Sequence, residues 1–328
     1  MALLCATMLV FAQNSTQTAL LQHGDEITTF YGADAFISAE AAATTGDIIT
    51  LSSGTFNAPE ILDKSITLRG VGCVTDDELD IHPTTIAGNI KACVTDSNEK
   101  HLTVEGVFFD GVFQFEILRA PVFIKCNFEE IKWNGGSTEG SYDSDFINCR
   151  IKWFRSAYIQ NTTFHNCVVY DSRDGMSAGE SFNTIIAYNS VFGLYQPHNN
   201  LFAYNSVVYG NGMKGNSVAH NCIARGAGII AYCSYYDCWV YEEFRDIFET
   251  FEGPAYDGNN YVTESFRLNS EVANQCLGQD GTQVGIYGGN MPYSTRPTYM
   301  TPYRTTVGQH STPDGKLNIH IKVIDGNK

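Results

Sequence analysis

The chain has 328 residues, of which 43% are hydrophobic and 17% are charged, a composition that excludes an intrinsically disordered protein. Its 36 acidic and 20 basic residues give a net charge of -16. This charge repels phosphate backbones and anionic lipid surfaces, so we expect no nucleic-acid partner. The sequence also lacks an apolar segment of the length needed to span a membrane.

The N-terminus has the character of a secretory signal. Residues 1–12 are apolar and are followed by Gln13 and Asn14, which is typical of the end of a signal peptide, although the positively charged start is missing. We therefore interpret residues 1–13 as the remainder of a signal peptide and expect a secreted or cell-surface protein. An apolar N-terminal strand is the alternative interpretation.

Residues 14–45 are predicted to form an N-terminal cap. Asp34 is suited to the N-cap of a helix in which Phe36, Ile37 and the following alanines form an apolar face. Such a helix would cover the open end of a repetitive structure.

Two short β-branched segments follow the cap, Gly46-Asp-Ile-Ile-Thr-Leu-Ser-Ser-Gly-Thr-Phe and Lys64-Ser-Ile-Thr-Leu-Arg-Gly. Both predict strands that end in glycine turns. They resemble the entry turns of right-handed parallel β-helix proteins of the pectate-lyase-like superfamily, as seen in secreted bacterial members. The resemblance implies a fold and leaves the activity open, because the superfamily includes lyases, glycosidases, esterases, epimerases and members without an assigned function.

The most regular part of the sequence is a repeat between Ile185 and Val240. A short apolar segment is interrupted by asparagine or aspartate every 16 residues. A unit of this size cannot bury its own apolar side, so successive units must stack, which predicts a solenoid. The interrupting residues are Asn189, Asn205, Asn221 and Asp237.

The same position can be followed toward the N-terminus at less regular intervals. We predict a ladder of about ten turns, about 45 Å long at the usual strand spacing, in which each asparagine amide donates to one neighbour and accepts from the other. The predicted fold class is all-β, a single-stranded right-handed parallel β-helix over residues 46–240, with residues 241–328 forming the last turns and a C-terminal cap. The earlier ladder positions are Gly70, Gly88, Gly106, Cys126, Asn148 and Asn166.

Cysteines follow several ladder positions directly, which predicts a stack of small buried side chains rather than disulfides or metal ligands. No Cys/His spacing suits zinc, and we expect no metal site. Cys73 and Cys93 lie outside this stack and are candidates for a disulfide in a secreted protein. The cysteines of the stack are Cys149, Cys167, Cys222 and Cys238.

The residue before each ladder position of the repeat is aromatic. If the strands alternate regularly, the alanine one residue earlier points to the opposite side. The aromatic residues form either a surface for sugars or a layer beneath a loop. They are Tyr188, Tyr204, His220 and Tyr236, and the alanines are Ala187, Ala203 and Ala219.

Two longer intervals in the ladder predict loops that flank a groove about 10 Å wide. Charged residues of these loops and of the turns between them are candidates for catalysis or for substrate binding. The alternative is that the same residues only stabilise turns and form surface ion pairs. The catalytic candidates are Asp171, Arg173, Asp174 and Glu180. The binding candidates, besides the aromatic residues above, are Trp133, Asp143, Asp145, Lys152, Arg155 and His165.

Two functional hypotheses follow. In the first, the protein binds a glycan or another surface without catalysis. We favour this hypothesis because no catalytic motif of the superfamily can be matched in this sequence. In the second, it is a polysaccharide lyase or a glycoside hydrolase acting on an acidic or a plant or host polysaccharide. A lyase must neutralise a carboxylate and remove the adjacent proton, and a hydrolase needs paired carboxylates. No cofactor is expected, apart from Ca²⁺ in the case of a lyase.

The C-terminal part is less regular. Residues 242–251 place Phe244, Ile247, Phe248 and Phe251 at helical spacing, but another strand would also suit them. Residues 265–289 resemble the closing segment of secreted β-helix proteins. Residues 317–323 alternate strictly, which predicts a cap or an edge strand.

Overall fold

The structure, a computed structural model, describes residues 17–75, 82–94, 101–133, 141–155, 159–173, 184–195, 198–254, 264–296, 301–307 and 319–324. It is an all-β solenoid of about 8 turns built mostly from parallel strands, which confirms the predicted fold class with fewer turns than the ten expected. The predicted signal peptide, residues 1–13, lies outside the described residues. Among the described helices, none has the length and hydrophobicity needed to cross a bilayer.

A hairpin and a helix close the N-terminal end. Phe36 of the helix is fully buried in the solenoid core, which confirms the predicted capping helix, whereas Ile37 is exposed. Asp34 holds the N-cap position but its carboxylate caps no backbone N–H; Oδ1 instead accepts a hydrogen bond from Nδ2 of Asn57 at 2.7 Å. The elements are β1 (Thr18–His23), β2 (Glu26–Tyr31) and α1 (Ala35–Ala42).

The first of two large sheets, sheet A, begins with β2 and β1, and β1 pairs antiparallel with the next strand. All later strands of the sheet are parallel, one from each turn. They are β3 (Ile48–Leu51), β6 (Thr67–Arg69), β9 (Thr103–Glu105), β11 (Val122–Ile124), β14 (Asp145–Ile147), β17 (Thr162–His165), β19 (Ile185–Tyr188), β21 (Leu201–Tyr204), β23 (Lys214–His220) and β25 (Tyr232–Tyr236).

Sheet B forms the opposite side of the solenoid and is parallel throughout. Its path comprises β4 (Gly54–Asn57), β7 (Thr84–Ala87), β10 (Val107–Ile117), β12 (Asn127–Trp133), β15 (Arg150–Arg155), β18 (Val168–Arg173), β20 (Val191–Leu194), β22 (Val207–Gly210), β24 (Ile223–Arg225) and β26 (Trp239–Tyr241), with β5 (Ile61–Leu62) and β8 (Ile90–Cys93) beside it.

The remaining elements are short. The predicted alternating C-terminal strand is confirmed and pairs antiparallel with a neighbour, and the segment with helical phenylalanine spacing forms one helical turn. These elements are β13 (Ser141–Tyr142), β16 (Ile159–Gln160), β27 (Thr301–Val307), β28 (Ile319–Ile324), α2 (Phe244–Ile247) and α3 (Ser270–Gln275), together with a 3-10 helix at Ala227–Ile229.

Equivalent residues of successive turns stack in the core. Phe123, Phe146 and Phe164 of sheet A are fully buried, and their rings stack at centroid distances of 5.0 Å. The predicted inward positions of the alanines in β19, β21 and β23 are confirmed, because all three are fully buried. The inward rows therefore bind the turns into one continuous core.

The asparagine ladder is a backbone feature rather than an amide stack. Each asparagine has a positive φ between 48° and 54°, the left-handed conformation that asparagine tolerates better than most residues. Its backbone N–H donates to a carbonyl of the next turn, as in Asn205 to His220 O at 3.0 Å. The predicted stack is wrong, since no ladder amide of the described residues donates to another ladder side chain; Nδ2 of Asn166 donates instead to the carbonyls of Ile286 (2.9 Å) and Gly288 (2.7 Å).

Two ladder positions assigned from spacing are also wrong. Lys125 has the left-handed backbone with φ of 52°, not Cys126, and Gly88 follows β7 in sheet B rather than a strand of sheet A. The intervals in this part of the chain are irregular, so spacing alone could not fix the register.

The residue after each ladder asparagine is small, and the predicted burial is confirmed for Cys149, Cys167 and Cys222, whereas Cys238 is only half-buried. The backbone N–H of Cys149 donates to Sγ of Cys167 at 3.3 Å, and that of Cys167 donates to Oγ of Ser190 at 3.1 Å. Every described cysteine is a free thiol, including Cys73 and Cys93. The ladder and this small residue together form a sharp corner between sheets A and B.

The two partly exposed thiols of Cys238, in this corner, and Cys93, at the end of β8, should differ in reactivity. Hydrogen bonding with Cys222 lowers the pKa of the half-buried Cys238, whereas burial raises the pKa of Cys93, which is also partly exposed. The thiolate is the reactive form. We therefore expect iodoacetamide at neutral pH to alkylate Cys238 before Cys93, as followed by peptide mass spectrometry over time; faster labelling of Cys93 would contradict the assignment.

The chain after β26 folds back along the solenoid. Phe248, Phe251 and neighbouring apolar residues cover an outward row of sheet B, formed by Val168, Val191, Val207 and Ile223. Residues 278–296, which we call the tail, then cross the asparagine corner. They run from His220 toward the N-terminal end, where Nζ of Lys125 donates to the carbonyl of Arg296.

Candidate functional site

The outer side of sheet A carries an unbroken row of aromatic side chains, which we call the aromatic column. Strand register places its members directly above one another, one on each of five successive turns. His165 belongs to this row but was assigned to a charged cluster in the sequence, although it also precedes a ladder asparagine. The column consists of His165, Tyr188, Tyr204, His220 and Tyr236.

The first three rings of the column, those of His165, Tyr188 and Tyr204, stack on one another. The centroid of Tyr188 lies 5.2 Å from that of His165 and 5.2 Å from that of Tyr204, with interplanar angles of 12° and 18°. Both faces of Tyr188 are therefore occupied by protein rings, and a sugar cannot stack on them. The parts of the column that a ligand can reach are the ring edges and the polar tips.

A second outward row runs beside the column. Ile186, Phe202 and Val218 occupy equivalent positions on β19, β21 and β23, and all three are partly exposed. This row was not recognised in the sequence, although each member lies two residues before a member of the column. The two rows form an amphipathic surface with hydroxyl and imidazole groups along one side.

The tail borders this surface without crossing the tyrosine pair. Nε2 of Gln279 lies 3.3 Å from both ring nitrogens of His220, and the backbone N–H of Gly285 donates to the carbonyl of Asn205 at 2.8 Å. Tyr188 and Tyr204 remain partly exposed beside it. The tail therefore forms one wall of a shallow surface along the column.

His165 contributes a neutral ring to the column. Burial lowers its pKa, and the nearby carboxylate of Asp145 only partly opposes this effect. An unprotonated imidazole offers one donor and one acceptor, and each tyrosine hydroxyl offers both functions. The part of the column formed by His165, Tyr188 and Tyr204 therefore provides hydrogen-bonding groups, and its imidazole is neutral at neutral pH.

The predicted charged residues of sheet B form ion pairs with neighbouring strands. Nζ of Lys152 lies 2.5 Å from Oε1 of Glu129 and 4.5 Å from the ring centroid of Trp153, and Nε of Arg155 lies 3.0 Å from Oε1 of Glu130. These contacts hold the two cations against sheet B. They are consistent with a structural role and place neither group on the side that carries the column.

The other predicted charged residues are divided between the sheets. Asp145 lies on the outer side of sheet A, two turns below Ile186, whereas Asp171 lies on β18 of sheet B, level with Trp153 of β15. Asp174 and Glu180 lie outside the described residues. The catalytic use of this cluster, and the groove between the two loops, stay predictions. Trp133 and Arg173 each end a strand of sheet B.

An open cavity of about 480 Å³ lies near the predicted Asp143. Asp143 has a φ of 58°, and its Oδ1 accepts a hydrogen bond from Nδ2 of Asn161 at 3.1 Å. Sequence reasoning identified only Asp143 here; three of the other lining residues come from earlier parts of the chain, and Tyr142 directly precedes Asp143. The cavity is lined by His101, Arg119, Ala120, Tyr142 and Asp143.

Neither a metal centre nor a relative directs the assignment of this site. Within the described ranges, no group of three or more His, Cys, Asp or Glu residues is placed to hold a metal ion. Comparison with protein-family models, with curated proteins and with solved structures found no match to this chain. The geometry of the aromatic column and its surroundings is therefore the basis for assigning a function.

Proposed function

We propose that this protein is a secreted or cell-surface member of the pectate-lyase-like superfamily that binds a glycan along the aromatic column without catalysis. The observation that carries the proposal is the row of stacked rings on sheet A, whose edges repeat at about 5 Å along the solenoid. A ligand with a regular chain of hydroxyl groups can contact successive turns in the same way. The sequence resemblance and the apolar N-terminus support the superfamily and the location.

The chemistry of the surface favours a neutral glycan. Tyrosine edges combine apolar area with hydroxyl groups, which suits the mixed apolar and hydroxylated surface of a sugar. The net charge of -16 repels uronates and sulfated chains. The ligand class is therefore a linear polysaccharide without carboxylate or sulfate groups.

Removing the two central rings should abolish most of the binding. We expect a Tyr188→Ala, Tyr204→Ala double variant to lose at least about tenfold in affinity on a glycan array, because each ring supplies contact area and a hydroxyl group. Tyr31→Ala is the matched control, since Tyr31 is an exposed tyrosine on β2. Equal binding by the double variant and the wild type would contradict the site.

A second variant tests how the column binds. Tyr188→Phe with Tyr204→Phe keeps the stacked rings and removes only the hydroxyl groups, and we expect it to lose most of the affinity that the alanine variant loses.

Incubation with polygalacturonate, alginate and neutral glycans, with and without Ca²⁺, provides the test for the lyase or hydrolase alternative. Release of shortened products by the wild type would contradict a purely binding role.

A further inference from the structure

The C-terminal end of the solenoid is open. Among the described strands, β25 and β26 each pair with one neighbour, and they end sheets A and B. Tyr235 is level with the fully buried Ala219, and Val240 is level with the fully buried Ala224, yet Tyr235 is 55% exposed and Val240 is 44% exposed. Two inward-facing apolar side chains and two strand edges are therefore presented at this end.

The N-terminal end has the opposite character. The helix α1 covers the core there with Ala35, Phe36 and Ala39, all of which are buried. A second molecule cannot insert its open end into a core that is already covered. Head-to-tail stacking therefore cannot join two open cores, whereas a symmetric contact between two C-terminal ends can.

The described C-terminal hairpin starts far from the open end. The carbonyl of Arg296 contacts Lys125, and six ladder corners, about 29 Å at the strand spacing, separate Lys125 from Asp237. The five Cα steps from residue 296 to residue 301 span at most about 18 Å. The first residue of β27 therefore lies short of the end that needs a cover.

We infer that the open end binds the same end of a second copy, about a two-fold axis that crosses both sheets. An antiparallel pair of β25 strands centred on Ser234 places inward residues opposite inward residues, with Cys233 facing Tyr235 of the second copy. A pair of β26 strands centred on Val240 brings the two Val240 side chains together in the joined core. Unpaired strand edges bind such partners readily, and both cores are closed by the same contact.

The same register explains why the association should be weak at low salt. It places Asp237 opposite Glu243 of the second copy on both sides of the axis, and both residues are exposed. Each copy also carries a net charge of -16. Repulsion between exposed charges is screened by salt, so the dimer is expected to tighten as ionic strength rises.

Sedimentation velocity over a concentration series, at low and high salt, measures this equilibrium on the full chain. We expect Tyr235→Asp to raise the dimer dissociation constant at least tenfold, because it places a charge in the joined core. Ile27→Asp is the matched control, since it adds the same charge at an exposed position on β2 at the other end. A wild type that stays monomeric at high concentration and high salt would overturn the inference.

A charge reversal tests the register with a gain of affinity. Glu243→Lys converts two repulsive contacts into attractive ones, so we expect a dissociation constant at least threefold lower than that of Glu26→Lys, which changes the net charge equally on exposed β2. The same affinity for both variants would contradict the proposed pairing. Circular dichroism of each variant establishes that the monomer is folded.

Cross-linking locates the axis. An antiparallel pair centred on Ser234 places its Cα about 5 Å from that of the second copy, which is within the range of a disulfide. We expect Ser234→Cys to form a covalent dimer under mild oxidation at least tenfold faster than Ser38→Cys, a matched cysteine on the exposed side of α1. Equal rates, or a disulfide mapped to other residues, would overturn the inference.

Discussion

Replacing Asn166 by leucine is expected to lower the free energy of unfolding by about 3 kcal/mol. Leucine in the left-handed conformation required at this corner, with φ of 52°, costs about 1–2 kcal/mol. The substitution also removes the two hydrogen bonds from Nδ2 to the carbonyls of Ile286 and Gly288. Each is worth about 1 kcal/mol, and the carbonyls are left buried without these donors. Urea denaturation followed by circular dichroism measures the change.

Glycine variants separate the two contributions. Asn166→Gly keeps the backbone conformation but loses the bonds to the tail, so we expect a cost of about 2 kcal/mol. Asn221 has a φ of 50° without a hydrogen bond from its amide to a tail carbonyl, so Asn221→Gly should cost little and Asn221→Leu about 1–2 kcal/mol. Equal losses for the two leucine variants would mean that the tail bonds contribute nothing.

The repeating strands of the C-terminal half could be predicted because their signal is local. A short apolar segment and a fixed period of 16 residues specify stacked turns, and strand alternation then places Ala203 inside and Tyr204 outside. Neither step needs knowledge of distant parts of the chain. Where the period fails, near Gly88 and Cys126, the predicted register fails as well.

The partners of the ladder amides could not be predicted from the repeat. The groups that accept hydrogen bonds from Asn166 are carbonyls more than a hundred residues later in the chain. The sequence nevertheless indicates that another segment of the chain covers the outer side of sheet B. Val168-Val169 and Val207-Val208 are apolar at both inward and outward positions, which is typical of strands that are buried on both sides.

The candidate site was only partly accessible to sequence reasoning. The aromatic column follows from the register, but the stacking of Tyr188 between His165 and Tyr204 depends on side-chain conformation. That geometry changes the expected recognition from sugar stacking to hydrogen bonding at ring edges. The division of Asp145 and Asp171 between two sheets likewise depends on where each turn bends.

A buried histidine should make the protein sensitive to acid. His198 is almost fully buried, its Nε2 lies 2.8 Å from Oγ of Ser172, and its ring packs edge-on against Phe192. Burial lowers its pKa to about 4, against a small opposing contribution from Ser172. The folded state thus holds this ring neutral at pH values where the unfolded chain already binds a proton.

The direction of the pH effect follows from this difference. The free energy of unfolding is not reduced by this histidine above about pH 6.5, the pKa of a histidine in the unfolded chain. It decreases as the pH falls from there toward about 4, the pKa of His198 in the folded state, because protonation then favours the unfolded chain. At about 1.4 kcal/mol per pKa unit, the loss is about 3 kcal/mol. Urea denaturation at a series of pH values across this window measures it.

The effect of His198 is isolated by comparing how steeply the free energy of unfolding of the wild type and of a His198→Gln variant changes with pH, not by comparing their stabilities at one pH. His198→Gln retains a polar side chain that can bond to Ser172, but it has no proton to gain, whereas all other titrating groups stay the same. We expect the wild type to lose about 3 kcal/mol more than this variant across the window, even if the variant is less stable at neutral pH. Parallel curves would show that the ring can be protonated inside the folded solenoid without cost, and the assignment of His198 as a buried neutral group would then be wrong.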